Sequence, residues 1–240
     1  MDNKLTVRYI AGLCLNDVTK SKDWQTRVIK GEQKFLIRLC NSLRVDFEDY
    51  GLRNLQAKVL AQALMLLYIA ESDQLLEIME LLADDITDGE VTLVDSNLRA
   101  LIYFIDMIED EAMIKRFNIY VPVILRAILS AFTNEELGSH GREQVLQIFY
   151  GCLRTISWAD GIDNELVGEC LDETFNQWMS VFLGVIQTDA NKFFDIKRNA
   201  LKCLTVIFRD FINYSREGIA MILRPAWKLM TSHLPIFTEV

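Results

Sequence analysis

Apolar residues recur at i, i+3, i+4 and i+7 along almost the whole chain, interrupted by short polar segments roughly every 20 residues. This period predicts helices over residues 4–20, 31–44, 52–70, 73–86, 92–110, 117–132, 140–158, 164–188, 194–213 and 217–232. Local punctuation supports several boundaries. Ser72 stands before DQLLEIMELLADD as a candidate N-cap, Asn134 and Gly138 separate the helix ending near Phe132 from the next, and Asp160-Gly161 closes the helix ending at Trp158. No stretch alternates as a strand does, so the expected fold is all-α.

Every second helix resembles the others: VRYIAGLCL, LRNLQAKVLAQAL, SNLRALIYFIDMI, GREQVLQIFYGCL and IKRNALKCLTVIF. Each opens on a polar or basic residue and continues apolar. The anchors Arg8, Arg53, Asn97, Arg142 and Lys197 recur at intervals of 45, 44, 45 and 55 residues. A period of about 40–47 residues with two helices per unit marks the HEAT class of α-solenoid. The longer last interval fits an extended helix and a loop around residues 188–192. One helix pair cannot bury its apolar face alone, so pairs stack, and the second helix of each packs against both neighbours. The expected architecture is a single HEAT-repeat array of about five antiparallel helix pairs over residues 1–240, part of a longer solenoid. Pro122 and Pro225 both fall in first helices; the former sits where a helix tolerates proline, the latter deep enough to predict a kink.

Composition narrows the function. Only 3 prolines and 11 glycines occur, too few for the turns of a sheet protein. With 25 basic and 34 acidic residues the net charge is −9, which argues against direct nucleic-acid binding, because neutralising phosphates needs a basic surface. The most apolar stretch, residues 59–70, is far short of the ~20 residues a membrane span needs, so no membrane insertion is expected. The N-terminal MDNKLTVRYIAGL has no signal-peptide pattern. Five widely spaced cysteines, Cys14, Cys40, Cys152, Cys170 and Cys203, read as core thiols of a reducing compartment. Trp158, Trp178 and Trp227 fall on apolar helix faces and are expected in the core, leaving Trp24 as the exposed one.

Candidate chemistry is sparse. His140 and His233 lie 93 residues apart at helix boundaries, and neither phosphate-binding glycine motif is present. Neither catalysis nor a cofactor is therefore expected. The acidic pairs lack EF-hand spacing and accompanying His or Cys, so no metal site is expected, and solvated faces account for them. As groups they still matter. Asp84, Asp85, Asp88, Glu90 and Asp95 crowd one connection, and Asp106, Glu109, Asp110 and Glu111 crowd the end of the next helix. On neighbouring turns of a solenoid they would form an acidic patch able to steer a basic partner.

The segment order LTVRYIAGLCLNDV, a polar stretch with Trp24, VLAQALMLLYIA, then DQLLEIMELLADDI resembles the early repeats of the importin-β (karyopherin-β) family. SNLRALIYFIDMI, YVPVILRAILSAFTNEE, GREQVLQIFYGCL, FFDIKRNALKCLTVIFRDF and ILRPAWKLMTSHLPIFTEV look like successive elements of its importin nine branch, which carries core histones and other basic nuclear proteins. The resemblance implies a nuclear transport receptor moving between cytoplasm and nucleus, binding basic cargo, nucleoporins and Ran in its GTP form. Family members are several times longer, so the chain is expected to be a fragment or a reduced protein. Second helices would face the concave surface, which makes Asn16, Asp17, Arg53, Lys58, Asp106 and Glu109 the candidate partner-binding residues. Arg53 has an ordinary alternative, a bond to a carbonyl or acid in the adjacent turn. The alternative function is a HEAT-repeat scaffold subunit of a constitutive complex, with an apolar patch at one end of the array for its fixed partner.

Overall fold

The computed structural model describes residues 3–31, 33–45, 47–158, 164–188 and 194–211, with Ala220, Leu223, Arg224 and Trp227. Among these it is all-α, without a strand. The chain divides into two compact units, residues 1–109 with 130–137, and residues 110–129 with 138–240.

The first unit holds α1 (Asn3–Lys20), α2 (Lys22–Gly31), α3 (Gln33–Leu43), α4 (Tyr50–Ile69), α5 (Leu75–Asp88) and α6 (Val91–Asp106). α4 is its centre: it packs on α1, α3 and α6, and twelve of its residues are buried. Gly12 allows α1 to approach this closely, because a Cβ there would meet Leu55 Cδ2 at 2.5 Å. Asp49 caps α4, its carboxylate accepting from the Leu52 N–H at 2.9 Å. At the other end Glu71 adopts φ +51° and the Ser72 N–H bonds the Leu67 carbonyl, a Schellman-type close. Ser72 thus ends the preceding helix instead of capping the next, whose N-cap is Gln74.

The second unit contains α7 (Glu111–Phe117), a 3₁₀ turn (Asn118–Tyr120), most of α8 (Val121–Thr133), α9 (Gly138–Trp158), α10 (Asn164–Leu171), α11 (Phe175–Gln187) and α12 (Phe194–Asp210). α9 packs on α12 and α7, and α11 on α12. Its core is aromatic, with Trp178 fully buried and its ring 4.3 Å from Phe149 and 6.1 Å from Phe182, centroid to centroid. Pro122 lies in the first turn of α8, where its missing N–H costs nothing. Gly138 opens α9 at φ +68°, a conformation open to glycine at no steric cost.

Four sequence expectations need correction. The polar stretch around Trp24 is itself helical, as α2, with Asp23 in its first turn and Trp24 half-buried, edge-on to Phe35. The helix expected over residues 164–188 breaks at Asp172, Glu173 and Thr174, where Asp172 and Thr174 have low helix propensity, giving α10 and α11. Trp158 and Trp227 are 60% and 67% exposed, so of the three only Trp178 is core. Cys14 is exposed, because the α1 face that carries it has no helix against it among the described residues, while the other four cysteines are buried. Of the expected helix over 217–232 only Ala220, Leu223, Arg224 and Trp227 are described, each in helical conformation, while the Pro225 kink, His233 and the Asp160-Gly161 close lie outside the described residues.

Candidate partner-binding face

Within a largely apolar α4, polar or aromatic side chains recur every four residues on one stripe: Tyr50, Asn54, Lys58 and Gln62. α6 repeats the device with Asp95, Arg99 and Tyr103, and its C-cap Met107 continues the spacing. Four residues is slightly more than one helical turn, so each set forms a stripe, and packing α4 on α6 lays the two stripes side by side. The rungs are individually resolved. Asp95 accepts from Arg99 Nε at 3.0 Å and lies 3.4 Å from Arg53 Nε. Arg99 Nη1 donates to the Tyr50 hydroxyl at 3.2 Å and its guanidinium sits 4.7 Å over that ring. The Tyr103 hydroxyl donates to Asn54 Oδ1 at 2.8 Å, Lys58 lies over the Tyr103 ring, and Gln62 Nε2 donates to the Met107 sulfur at 3.2 Å. Residue numbers rise together along both helices, so α4 and α6 run in the same direction, as second helices of stacked repeats must. Burial works against the Arg99 charge, but the hydrogen bond and charge of Asp95, aided by Tyr50, hold its pKa above the ordinary value.

The anchor residues have a separate task. Arg53 Nη1 donates to the Phe47 and Glu48 carbonyls at 2.9 and 2.8 Å, closing the turn before α4. Asn97 Nδ2 donates to Asp85 in α5 at 3.3 Å, and Lys197 Nζ donates to the Thr188 carbonyl at the end of α11 at 2.7 Å. Each thus ties the start of a second helix to the element before it. A further tie joins repeats, because Arg44 reaches Asp85 with Nε and Nη2 at 2.5 and 2.8 Å. That hydrogen bond raises the Arg44 pKa above its ordinary value, against the effect of burial.

The six candidate residues fall into distinct settings. Arg53 is largely consumed by its internal bonds, the ordinary role noted for it above. Lys58 is exposed on the seam, Asp106 is exposed at its C-terminal end, and Glu109 is exposed in the turn beyond. Asp17 is exposed on α1; neighbouring Asn16 is half-buried, its Oδ1 buried without a hydrogen-bond partner. Sequence reasoning missed Tyr50, Asn54, Arg99 and Tyr103 and read Asp95 only as part of an acidic patch, although their four-residue spacing was available.

The expected single acidic patch does not form as drawn. Asp85 is occupied by Arg44 and Asn97, and Asp95 by its two arginines. Asp110 caps α7 through the Met113 N–H, and Glu111 pairs with Lys115. Exposed Asp84, Asp88 and Glu90 lie at one end of α6 and Asp106 and Glu109 at the other, about 24 Å apart along a 16-residue helix. Among the described residues no group of three or more His, Cys, Asp or Glu is placed to hold a metal ion, and no helix is long and apolar enough to cross a membrane. No protein-family model and no curated protein matches the chain.

Proposed function

We propose that this chain is the repeat-bearing part of a nuclear transport receptor of the importin-β type, binding a basic protein cargo such as core histones and releasing it to Ran-GTP. The observation that carries the reading is the α4–α6 seam: parallel second helices of neighbouring repeats joined by a polar stripe that is exposed at Tyr50 and Lys58 and half-buried or buried between them, with exposed carboxylates near both ends of α6. Lys58 and the α6 acids Asp106 and Glu109 are the contacts proposed for partners, with Asp17 on the corresponding face of α1. The reading places the chain in cytoplasm and nucleus, with nucleoporins as further partners and no cofactor or covalent chemistry. Release would be mutual exclusion, a coupling of about 1–3 kcal/mol between two ligands of one face.

A titration of the chain with Ran-GTP, Ran-GDP and a core-histone dimer at physiological salt tests this. The expected outcome is tighter binding of the GTP form, displacement of histone, and about tenfold weaker histone binding for Asp106→Lys/Glu109→Lys with folding unchanged. Binding to neither nucleotide form, by a chain shown to be folded, favours a scaffold subunit instead. One observation already points that way: α1 exposes Val7, Ile10, Leu13 and Val18, an apolar stripe of the kind a fixed partner covers.

A further inference from the structure

Tyr50 is set apart from the other described tyrosines. It is 58% exposed, it is the first residue of α4, and the segment before it, residues 44–49, is not helical where described. Its hydroxyl already accepts from Arg99, its ring lies 4.7 Å from one guanidinium and 5.9 Å from that of Arg53, and these two cations share the single carboxylate of Asp95. We propose that Tyr50 is a phosphorylation site whose phosphate is received by Arg99, locking α4 to α6.

Access comes first. A tyrosine kinase needs an extended stretch around its target, and the first turn of a helix opens at small cost because its N–H groups lack intrahelical partners. Opening here releases the Leu52 N–H from Asp49, the Arg53 N–H from the Asp49 carbonyl and the Arg53 side chain from the Phe47 and Glu48 carbonyls, and Gly51 eases the backbone into extended form. Tyr9, also exposed, lies in the middle of α1 with helix on both sides. The chemistry is ordinary phosphoryl transfer: Tyr50 Oη forms a bond to the γ-phosphorus of ATP, the bond to the bridging oxygen breaks, ADP leaves, and the phenol proton is released.

Reception follows from charge. A phosphotyrosine carries about −1.5 to −2 and three strong acceptor oxygens. At Tyr50 it meets Arg99 at once, and it stands at the N-terminus of a 20-residue helix, whose dipole favours an anion. The opposing charges are Glu48, Asp49 and Asp95; the Asp49 carboxylate is directed at the Leu52 N–H, and Asp95 is one carboxylate shared between two guanidiniums, Arg99 through Nε and Arg53, which leaves Arg99 Nη1 for the phosphate. A phosphate paired with Arg99 adds bonds between α4 and α6 where the free hydroxyl makes one.

The test treats the chain with ATP and a broad-specificity tyrosine kinase domain, maps sites by peptide mass spectrometry, and compares thermal midpoints before and after phosphatase. The expected results are Tyr50 modification at least about tenfold faster than Tyr9, since an order of magnitude needs only a small difference in opening cost. The midpoint should rise by about 2–4 °C on modification, and the gain should disappear with phosphatase and in Arg99→Gln. Where Arg99→Gln fails to fold, the phosphorus resonance of the wild-type chain decides: pairing with Arg99 lowers the second phosphate pKa below its ordinary value of about 6. Modification at Tyr9 with Tyr50 untouched overturns the proposal. So does a modified Tyr50 with no midpoint gain and an unshifted phosphate titration.

Discussion

A thiol inside an apolar core resists ionisation, because the thiolate would lose its hydration without a compensating partner. Burial pushes the Cys40 thiol from 9.0 up to about 12 and that of Cys170 likewise, and raises Cys152 and Cys203 as well. Below pH 9 both folded and unfolded chains hold these protons, so their contribution is fully present. Above pH 9 the unfolded chain releases protons that the folded chain keeps, and stability falls as pH rises toward 12, by about 1.4 kcal/mol per pH unit for each thiol. Urea midpoints taken from pH 8 to 11 should show this decline, with a shallower slope for Cys40→Ala. A thiol reagent at pH 8 should label Cys14 alone among the five until the chain unfolds. None of this separation was visible in the sequence, where all five cysteines sit in comparable apolar surroundings; exposure of Cys14 depends on which face of α1 meets α4.

Between helices, part of the directional bonding runs through a few carboxylates. Asp85 serves Arg44 from one repeat and the fully buried Asn97 from its own, so Asp85→Ala strands a buried amide and frees a guanidinium. The expected loss is about 1–3 kcal/mol, seen as a lower thermal midpoint. A double-mutant cycle with Arg44→Met should isolate a coupling near 1 kcal/mol that shrinks with added salt, because both side chains retain some exposure. Helix positions were legible from the 3.6-residue period: α1, α3, α4, α5, α6, α8, α9 and α12 fall close to their expected spans. What the period could not reveal was a short polar helix such as α2, whose formation depends on Trp24 meeting Phe35, or the break at Asp172–Thr174 within a continuous apolar pattern. The seam was half legible. Its two stripes are written in four-residue spacing, but which rung meets which depends on the rotation and offset of α4 against α6.

Across the molecule, stability should be uneven. α4 buries twelve residues, α9 eleven and α6 nine, whereas on α1 Thr19 is the one buried residue among those whose burial is described. Native-state hydrogen exchange should therefore find the slowest amides in α4, α6 and α9, and the fastest helical ones in α1 and α2. Exchange rates equal in α1 and α4 would contradict this ordering. The two sorts of polar contact also carry a consequence for rearranging the chain. Bonds such as Asn97 to Asp85 and Lys197 to Thr188 stay inside one helix pair, so a pair cut out and spliced elsewhere takes its own clasp with it. The bonds of Asp95 with Arg53, Arg99 with Tyr50 and Tyr103 with Asn54 belong to two pairs at once. Shuffled repeats would still form hairpins, yet the bonds between the pairs carrying α4 and α6 would re-form only where those two stand side by side, so the order of these two modules is encoded in the joint between them.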